Sequence, residues 1–184
     1  MADAHHESVA VRRLGQPGDL GWVVKTHGEV YADEFGWDTS FEALVARIVA
    51  DYAGEENPHG QAAWIAEVDG ERVGCVFCVP AGDTVAKLRI LLVHPHGRGR
   101  GLGGQLVDTC MEYARTAGYT RMRLWTNDVL VAARRIYLDR GFVLIESAPH
   151  HSFGVDLVGQ TYEAEMTQRH NGPGVELRRI GDVG

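Results

Sequence analysis

The order of apolar patterns along this 184-residue chain predicts an α/β (α+β) fold, a mixed sheet of about seven strands flanked by about four helices. Strand-like runs cluster in the first half, and helix-period stripes alternate with short strands in the second. The composition, 45% apolar and 23% charged, is that of an ordinary globular chain. At this length roughly 70% of the unfolded surface can be buried in a single core.

Ser8 to Leu14 alternates weakly and is rich in valine, which predicts a first strand. Pro17-Gly18-Asp19 punctuates it. Leu20 to Phe35 then carries Trp22, Val23, Thr26, Val30 and Tyr31 at near-helical spacing, and Gly36-Trp37-Asp38 breaks that helix. Thr39 and Glu42 have capping-box spacing; behind them Phe41, Leu44, Val45, Ile48, Val49 and Tyr52 keep the helical period to about Gly54. Gly54 to Gly60 is a loop by composition. Ala62 to Val68 and Arg72 to Val79 read as strands joined across Asp69-Gly70, a strong hairpin signal, and Val85 to Val93 as another. Leu102, Leu106, Val107, Cys110, Met111 and Ala114 form one helical stripe over Leu102 to Ala117, closed by Gly118. A strand over Arg121 to Trp125, a short helix over Val129 to Leu138, and closing strands over Phe142 to Ile145 and Tyr162 to Met166 complete the order.

With 18 basic against 25 acidic residues the formal charge is −7, a poor balance for binding nucleic acid through its phosphates. No apolar run approaches the roughly 18–20 residues that span a bilayer. The opening MADAHHESVA is polar and lacks a signal core. The expectation is one cytoplasmic domain over 8–167, with polar, mobile tails over 1–7 and 168–184, and with no nucleic-acid or membrane partner. Three cysteines cannot make a disulfide framework. Cys75 and Cys78 match C-x-x-C, but an offset of three in an extended run points them to opposite faces, and no second pair completes a zinc site. Two core thiols and no metal are expected.

The most informative segment runs from Leu91-Leu92-Val93 through His94-Pro95-His96-Gly97-Arg98-Gly99-Arg100-Gly101 into Leu102-Gly103-Gly104. An apolar strand enters a glycine-rich turn that opens onto an amphipathic helix. Glycines let successive N–H groups point inward, and the helix N-terminus adds about half a positive charge, so the loop suits phosphate or pyrophosphate. A flexible connector would share the composition but not the order of strand, loop and helix. Gly99 to Gly104 also satisfies G-x-G-x-x-G, yet several strands precede it, and Arg121 to Trp125 ends without the acid that would hold a ribose. The Gly-Lys-Ser/Thr of a Walker loop is absent.

Arg98-Gly99-Arg100-Gly101-Leu102-Gly103 resembles the R/Q-x-x-G-x-G/A signature of the GNAT acetyltransferase superfamily. The strand ending at Trp125-Thr126-Asn127, then Ala132 through Tyr137 to Gly141-Phe142, resembles the family's second cofactor motif, and the likeness covers most of Ser8 to Met166. Glu34 to Asp38, His150 to Gly154 and Val158 to Thr161 further resemble the acetyltransferase half of bacterial MarR–GNAT fusions. DNA binding is not implied, because 184 residues leave no room for that module.

The resemblance implies a GNAT-like, mostly antiparallel sheet and acetyl transfer from acetyl-CoA to a primary amine, a small molecule ahead of a protein lysine or N-terminus. It implies acetyl-CoA contacts from Leu91, Leu92, Val93, Arg98, Gly99, Arg100, Gly101, Leu102, Gly103, Gly104, Asn127, Ala132, Arg134 and Tyr137, with Tyr137 as general acid. A phenol keeps its proton at neutral pH and can give it to a departing thiolate. Some members carry a glutamate six residues before the position of Val93; Lys87 stands there and cannot serve as that carboxylate. Glu34 is the leading substitute as base, where the first two helices meet, with Glu67, His150 and His151 behind it. Glu34, Trp37, Trp125, His150 and His151 are the expected acceptor-side residues. Between Glu29 and Glu56 eight acids face one base, Arg47, which reads as solvated helix faces or as a field that gathers a cationic amine. An acyl-CoA-binding module with little turnover is the alternative, a NAD enzyme a distant third. A homodimer is compatible with the resemblance.

Overall fold

The computed structural model describes residues 7–55 and 59–166; the rest, which hold nearly all of the expected tails and the middle of the expected 54–60 loop, lie outside the described residues. In chain order the elements are β1 (Val9–Arg13), α1 (Asp19–Phe35), α2 (Thr39–Gly54), β2 (Ala62–Val68), β3 (Glu71–Pro80), β4 (Val85–Val93), α3 (Leu102–Thr116), β5 (Arg121–Asn127), α4 (Val131–Leu138), β6 (Val143–Ser152) and β7 (Val155–Glu165). The strands form one sheet in the order β1-β2-β3-β4-β5-β7-β6. Every neighbouring pair is antiparallel except β4–β5.

Strand alternation divides the core into two layers. Val76 and Cys78 face one way, onto Leu106, Val107, Cys110 and Met111 of α3. Cys75 and Phe77 face the other, onto Val23 and Val30 of α1 and Val45 and Val49 of α2. The cysteines are free, buried and on opposite faces, as their spacing predicts. Asp69 and Gly70 both take positive φ, the conformation of a tight hairpin turn.

Two local readings need correction. Asp38 caps α2, its carboxylate accepting from the Ser40 N–H at 2.9 Å; Thr39 is the first helical residue, and the Glu42 carboxylate lies against Gly28. The last two strands are also much longer than expected. They form a hairpin that turns at Phe153-Gly154, both with positive φ, and pair from Val143–Glu163 to Ser152–Val155. β6 is an edge strand exposed along most of its length, so no apolar alternation marks it beyond Ile145, where the predicted strand stops.

α1 is pinned at its start by Asp19, whose side chain is fully buried. It accepts from Arg12 at 2.8 Å and Arg72 at 2.7 Å, and from the N–H groups of Gly15 and Gln16, both at 2.9 Å. Burial disfavours its charge, yet the bonds from Arg12, Gly15, Arg72 and Gln16 hold the carboxyl well below the usual range. Strands β1 and β3 are thereby tied to the helix that walls the site. Asp19→Asn leaves a buried charge network broken, and we expect a loss of about 3 kcal/mol in urea unfolding at pH 7. A change within about 0.5 kcal/mol would show that the helix start is held by packing alone.

Candidate functional site

The site exists because β4 and β5 stop pairing. They are bonded only over Val85–Leu88 and Arg121–Leu124. Between Cys75–Leu92 and Phe77–Arg89, two steps along β3 face three along β4, a bulge at which Ile90 takes a φ of 44°. The extra residue switches faces: Leu88 belongs to the α3-side core, whereas Leu92, an even number of residues on, belongs to the α1–α2 core. β5 meanwhile continues along β7 as far as Asn127–Gly159. The space between the strand ends is a cleft with two adjoining lobes.

The wider lobe, about 650 Å³, is lined by Leu91, Leu92, Val93, Gly97, Arg98, Gly99, Gly101, Leu102, Gly103, Gly104 and Ala132, and by Glu34 from α1. Gly99 and Gly101 take φ of 79° and 70°, a region that side chains resist. The first intrahelical bond of α3 runs from the Gln105 N–H to the Gly101 carbonyl. The N–H groups of Leu102, Gly103 and Gly104 precede it and have no partner within the helix. A Cβ at Gly103 would meet Ile136 at 2.7 Å, so the glycine also sets how closely α3 approaches α4. Arg98 pairs with Glu34 at 2.6 Å. Arg100 is turned outward to Glu7 and to the carbonyls of His96 and Arg98, and so braces the loop without lining either lobe.

The narrower lobe, about 350 Å³, brings together Trp37, Trp125, Asn127 and Tyr137 with His27, Lys87 and Arg89. Tyr31, Leu91, Leu130 and Ala133 line both lobes, which places their junction between α1, the β4 bulge and α4. Tyr137 is buried against Phe142, and burial raises its pKa, so the phenol keeps its proton. Asn127 is buried, and its side-chain oxygen lies 2.8 Å from His150 Nε2, while His150 Nδ1 meets Ser152 Oγ at 2.9 Å. The Trp125 indole stands 5.5 Å from the His150 ring and across Gly159, where a Cβ would come within 3.0 Å of it. Trp37 is packed among Tyr31, Phe41 and Phe153.

Other expected residues lie elsewhere. His151 pairs outward with exposed Asp156, and Glu67 binds Arg12 beside β1. Arg134 donates to the Asp128 carbonyl and the Tyr162 hydroxyl, and lines neither lobe. Of the described acids from Glu29 to Glu55, only Glu34 lines the cleft, on its wider side. The acidic helix region therefore does not furnish the narrower lobe.

Sequence reasoning missed His27, whose only signal is a place on the apolar stripe of α1. It is buried, stacks on Tyr31 and lines the narrower lobe. Nδ1 lies 2.8 Å from the Val23 carbonyl and so carries the proton. Nε2 is the one buried side-chain polar atom without a hydrogen-bond partner among the described residues. Lys87 and Arg89 were missed as pocket residues because the face they present depends on sheet pairing.

Comparison with known proteins gives a consistent picture. Residues 21–142 match the Acetyltransferase (GNAT) family. Uncharacterized N-acetyltransferase C1271.07c of Schizosaccharomyces pombe is 32% identical over 145 residues, 78% of this chain and 88% of that protein. Human N-acetyltransferase 8B is 33% identical over 88 residues, and the match spans only 39% of its length. N-acetylaspartate synthetase of Danio rerio is 33% identical over 106 residues, 36% of its length. Among solved structures, yncA of Salmonella typhimurium, with its cofactor acetyl-CoA, superposes with a TM-score of 0.71 at 18% identity, covering 91% of this chain and 98% of that one. Ribosomal-protein-alanine N-acetyltransferase of Brucella melitensis reaches 0.68 at 16% identity, covering 85% and 99%. At these identities the structural likeness is one of fold. No helix among the described residues is long and apolar enough to cross a membrane.

His27 makes stability depend on pH. Burial lowers its pKa to about 4, against the opposing pull of the Val23 and Ile90 carbonyls, from the ordinary 6.5. The unfolded chain therefore binds a proton that the folded one refuses. This contribution is complete above about pH 6.5 and is lost as pH falls towards 4, with a total of about 3 kcal/mol. Urea midpoints of wild type and His27→Phe should converge or cross as pH drops from 7 to 4.5. Parallel curves would show that His27 titrates alike in both states.

Proposed function

The chain belongs to the GNAT acetyltransferase family, and from that premise we propose that residues 8–167 form one domain transferring acetyl from acetyl-CoA to a primary amine, a small molecule ahead of a protein lysine or N-terminus. The observation that carries this reading is the two-lobed cleft, with an amide-rich helix start in one lobe and a protonated phenol in the other. Bound acetyl-CoA supplies an acyl group activated as a thioester. The loop from Arg98 to Gly104 fits its pyrophosphate: the N–H groups at the start of α3 have no helical partner, and glycine leaves room for close approach. Leu91, Leu92, Val93 and Ala132 offer an apolar wall for the pantetheine arm, and Asn127 a polar contact near its end.

The reaction joins the amine nitrogen to the acetyl carbon, breaks the carbon–sulfur bond, removes one proton from the amine and returns one to the sulfur. Tyr137 is assigned the last role, because its buried phenol holds a proton until a stronger base forms beside it. No carboxylate lines the narrower lobe among the described residues, so an amine that enters uncharged is the simplest acceptor. Glu34 is the carboxylate nearest in role to a base, but its partner is Arg98, which gives it a second task of steadying the loop. That Lys87 stands where some members carry a glutamate also favours the second reading, an acyl-CoA-binding module with little turnover. The likeness of Glu34–Asp38 and His150–Thr161 to MarR–GNAT fusions is confined to their acetyltransferase half and adds no DNA-binding role.

Binding and turnover test these readings separately. At about 100 times its dissociation constant, acetyl-CoA should add about 2.7 kcal/mol of stability in thermal unfolding, and NAD or NADP none. Thiol release with an amine panel then distinguishes a transferase from a binding module. Tyr137→Phe should lower kcat about 100-fold, with acetyl-CoA affinity changed less than threefold; an unchanged kcat removes Tyr137 from the mechanism. In Glu34→Gln a raised KM for acetyl-CoA with the same pH–rate limb assigns Glu34 to the loop, whereas loss of the limb assigns it as the base.

A further inference from the structure

The narrower lobe contains an imbalance of charge. Lys87 and Arg89 lie on the face of β4 opposite Ala86 and Leu88, turned towards α1 and α2, and both line the lobe. Each is half-buried, and neither has a hydrogen bond or ion pair with any described residue. The neighbouring Arg121 and Arg123 of β5 share the Glu163 carboxylate at 3.5 and 2.7 Å. Burial holds both Lys87 and Arg89 below their usual ranges; Arg89 and Arg123 push Lys87 further, and Asp51 only offsets the effect on Arg89. Cations withdrawn from water are ordinarily paired. No acid among the described residues lines the lobe, and its remaining walls are largely aromatic and aliphatic, including Tyr31, Phe41, Ile48 and Trp125.

Resting on the transferase reading above, we infer that the acceptor amine carries an anionic group, a carboxylate or phosphoryl, which Lys87 and Arg89 hold while the apolar walls take its body. Arg89 offers a fork suited to two anionic oxygens, and Lys87 a point charge beside it. The lobe, at about 350 Å³, admits a molecule the size of an amino acid. Anion binding there fixes one end of the acceptor and leaves its nitrogen to face the junction of the lobes, beside Tyr137.

The test uses matched pairs: leucine, methionine and phenylalanine against their carboxamides, and phosphoethanolamine against ethanolamine, each in thiol release from acetyl-CoA. At least one anionic amine should exceed its neutral partner in kcat/KM about tenfold or more, and which pair does so separates carboxylate from phosphoryl. Arg89→Met and Lys87→Met should each reduce that preference about tenfold, Arg89→Lys should retain part of it, and acetyl-CoA affinity should not move. Calorimetric titration with N-acetylphenylalanine and its carboxamide reads the same preference without turnover. Binding that favours the carboxylate through Arg89, with no thiol release from any amine, would sustain the anion site and overturn the transferase reading. Thiol release that favours neutral partners throughout, or a preference that survives in both Met variants, would overturn the anion site alone. Neither release nor carboxylate binding would overturn both.

Discussion

The failure of β4 and β5 to stay paired is the constraint on which the rest of the site depends. Two parallel strands that part after four residues expose backbone and side chains from both edges to one shared space. The bulge at Ile90 keeps β4 attached to β3 while turning its end away from β5. Because the bulge also reverses which residues face which layer, one strand serves both lobes: Lys87 and Arg89 before it, Leu91 to Val93 after it. A regular strand would present only one face to the cleft.

Around that opening, the helices act as walls set by few but strong ties. α1 is held at its start by the buried Asp19 network and at its end by Gly36, whose left-handed conformation lets its N–H reach the Ala32 carbonyl. Between those ends it supplies His27 and Tyr31 to the cleft, and Glu34 to Arg98 of the glycine loop. α3 and α4 approach closely because Gly103 has no side chain, which brings Ala132, Ala133 and Tyr137 against the strand ends.

Charge is sorted by layer. Glu29 and Asp38 are spent on local tasks at the surface, in the Lys25–Glu29 pair and the cap of α2, whereas Lys87 and Arg89 in the narrower lobe have no hydrogen-bonded or ion-paired partner among the described residues. Net charge, at −7, says nothing of this, because it sums over a surface the ligand does not touch. The chemistry of a pocket follows from the few groups that desolvate with the ligand, where a charge is felt more strongly than in water.

The fold class, the glycine loop and most element positions were legible in the sequence because each depends on neighbours a few residues away. Periodicity marks a helix or strand, and glycine marks a turn that side chains resist. Tyr137 and Asn127 were legible for the related reason that a resembling motif carries their positions. What only the tertiary structure decided are the relations between distant segments. Glu34 meets Arg98 across 64 residues of chain, His150 meets Asn127, and Arg134 turns to Tyr162. Beyond Ile145 the exposed edge strand β6 left no pattern to read, and the bulge that aims Lys87 and Arg89 into the cleft exists only in the pairing of β4 with β3. Sequence specifies such contacts through the energy of the whole packed chain, so no local window contains them.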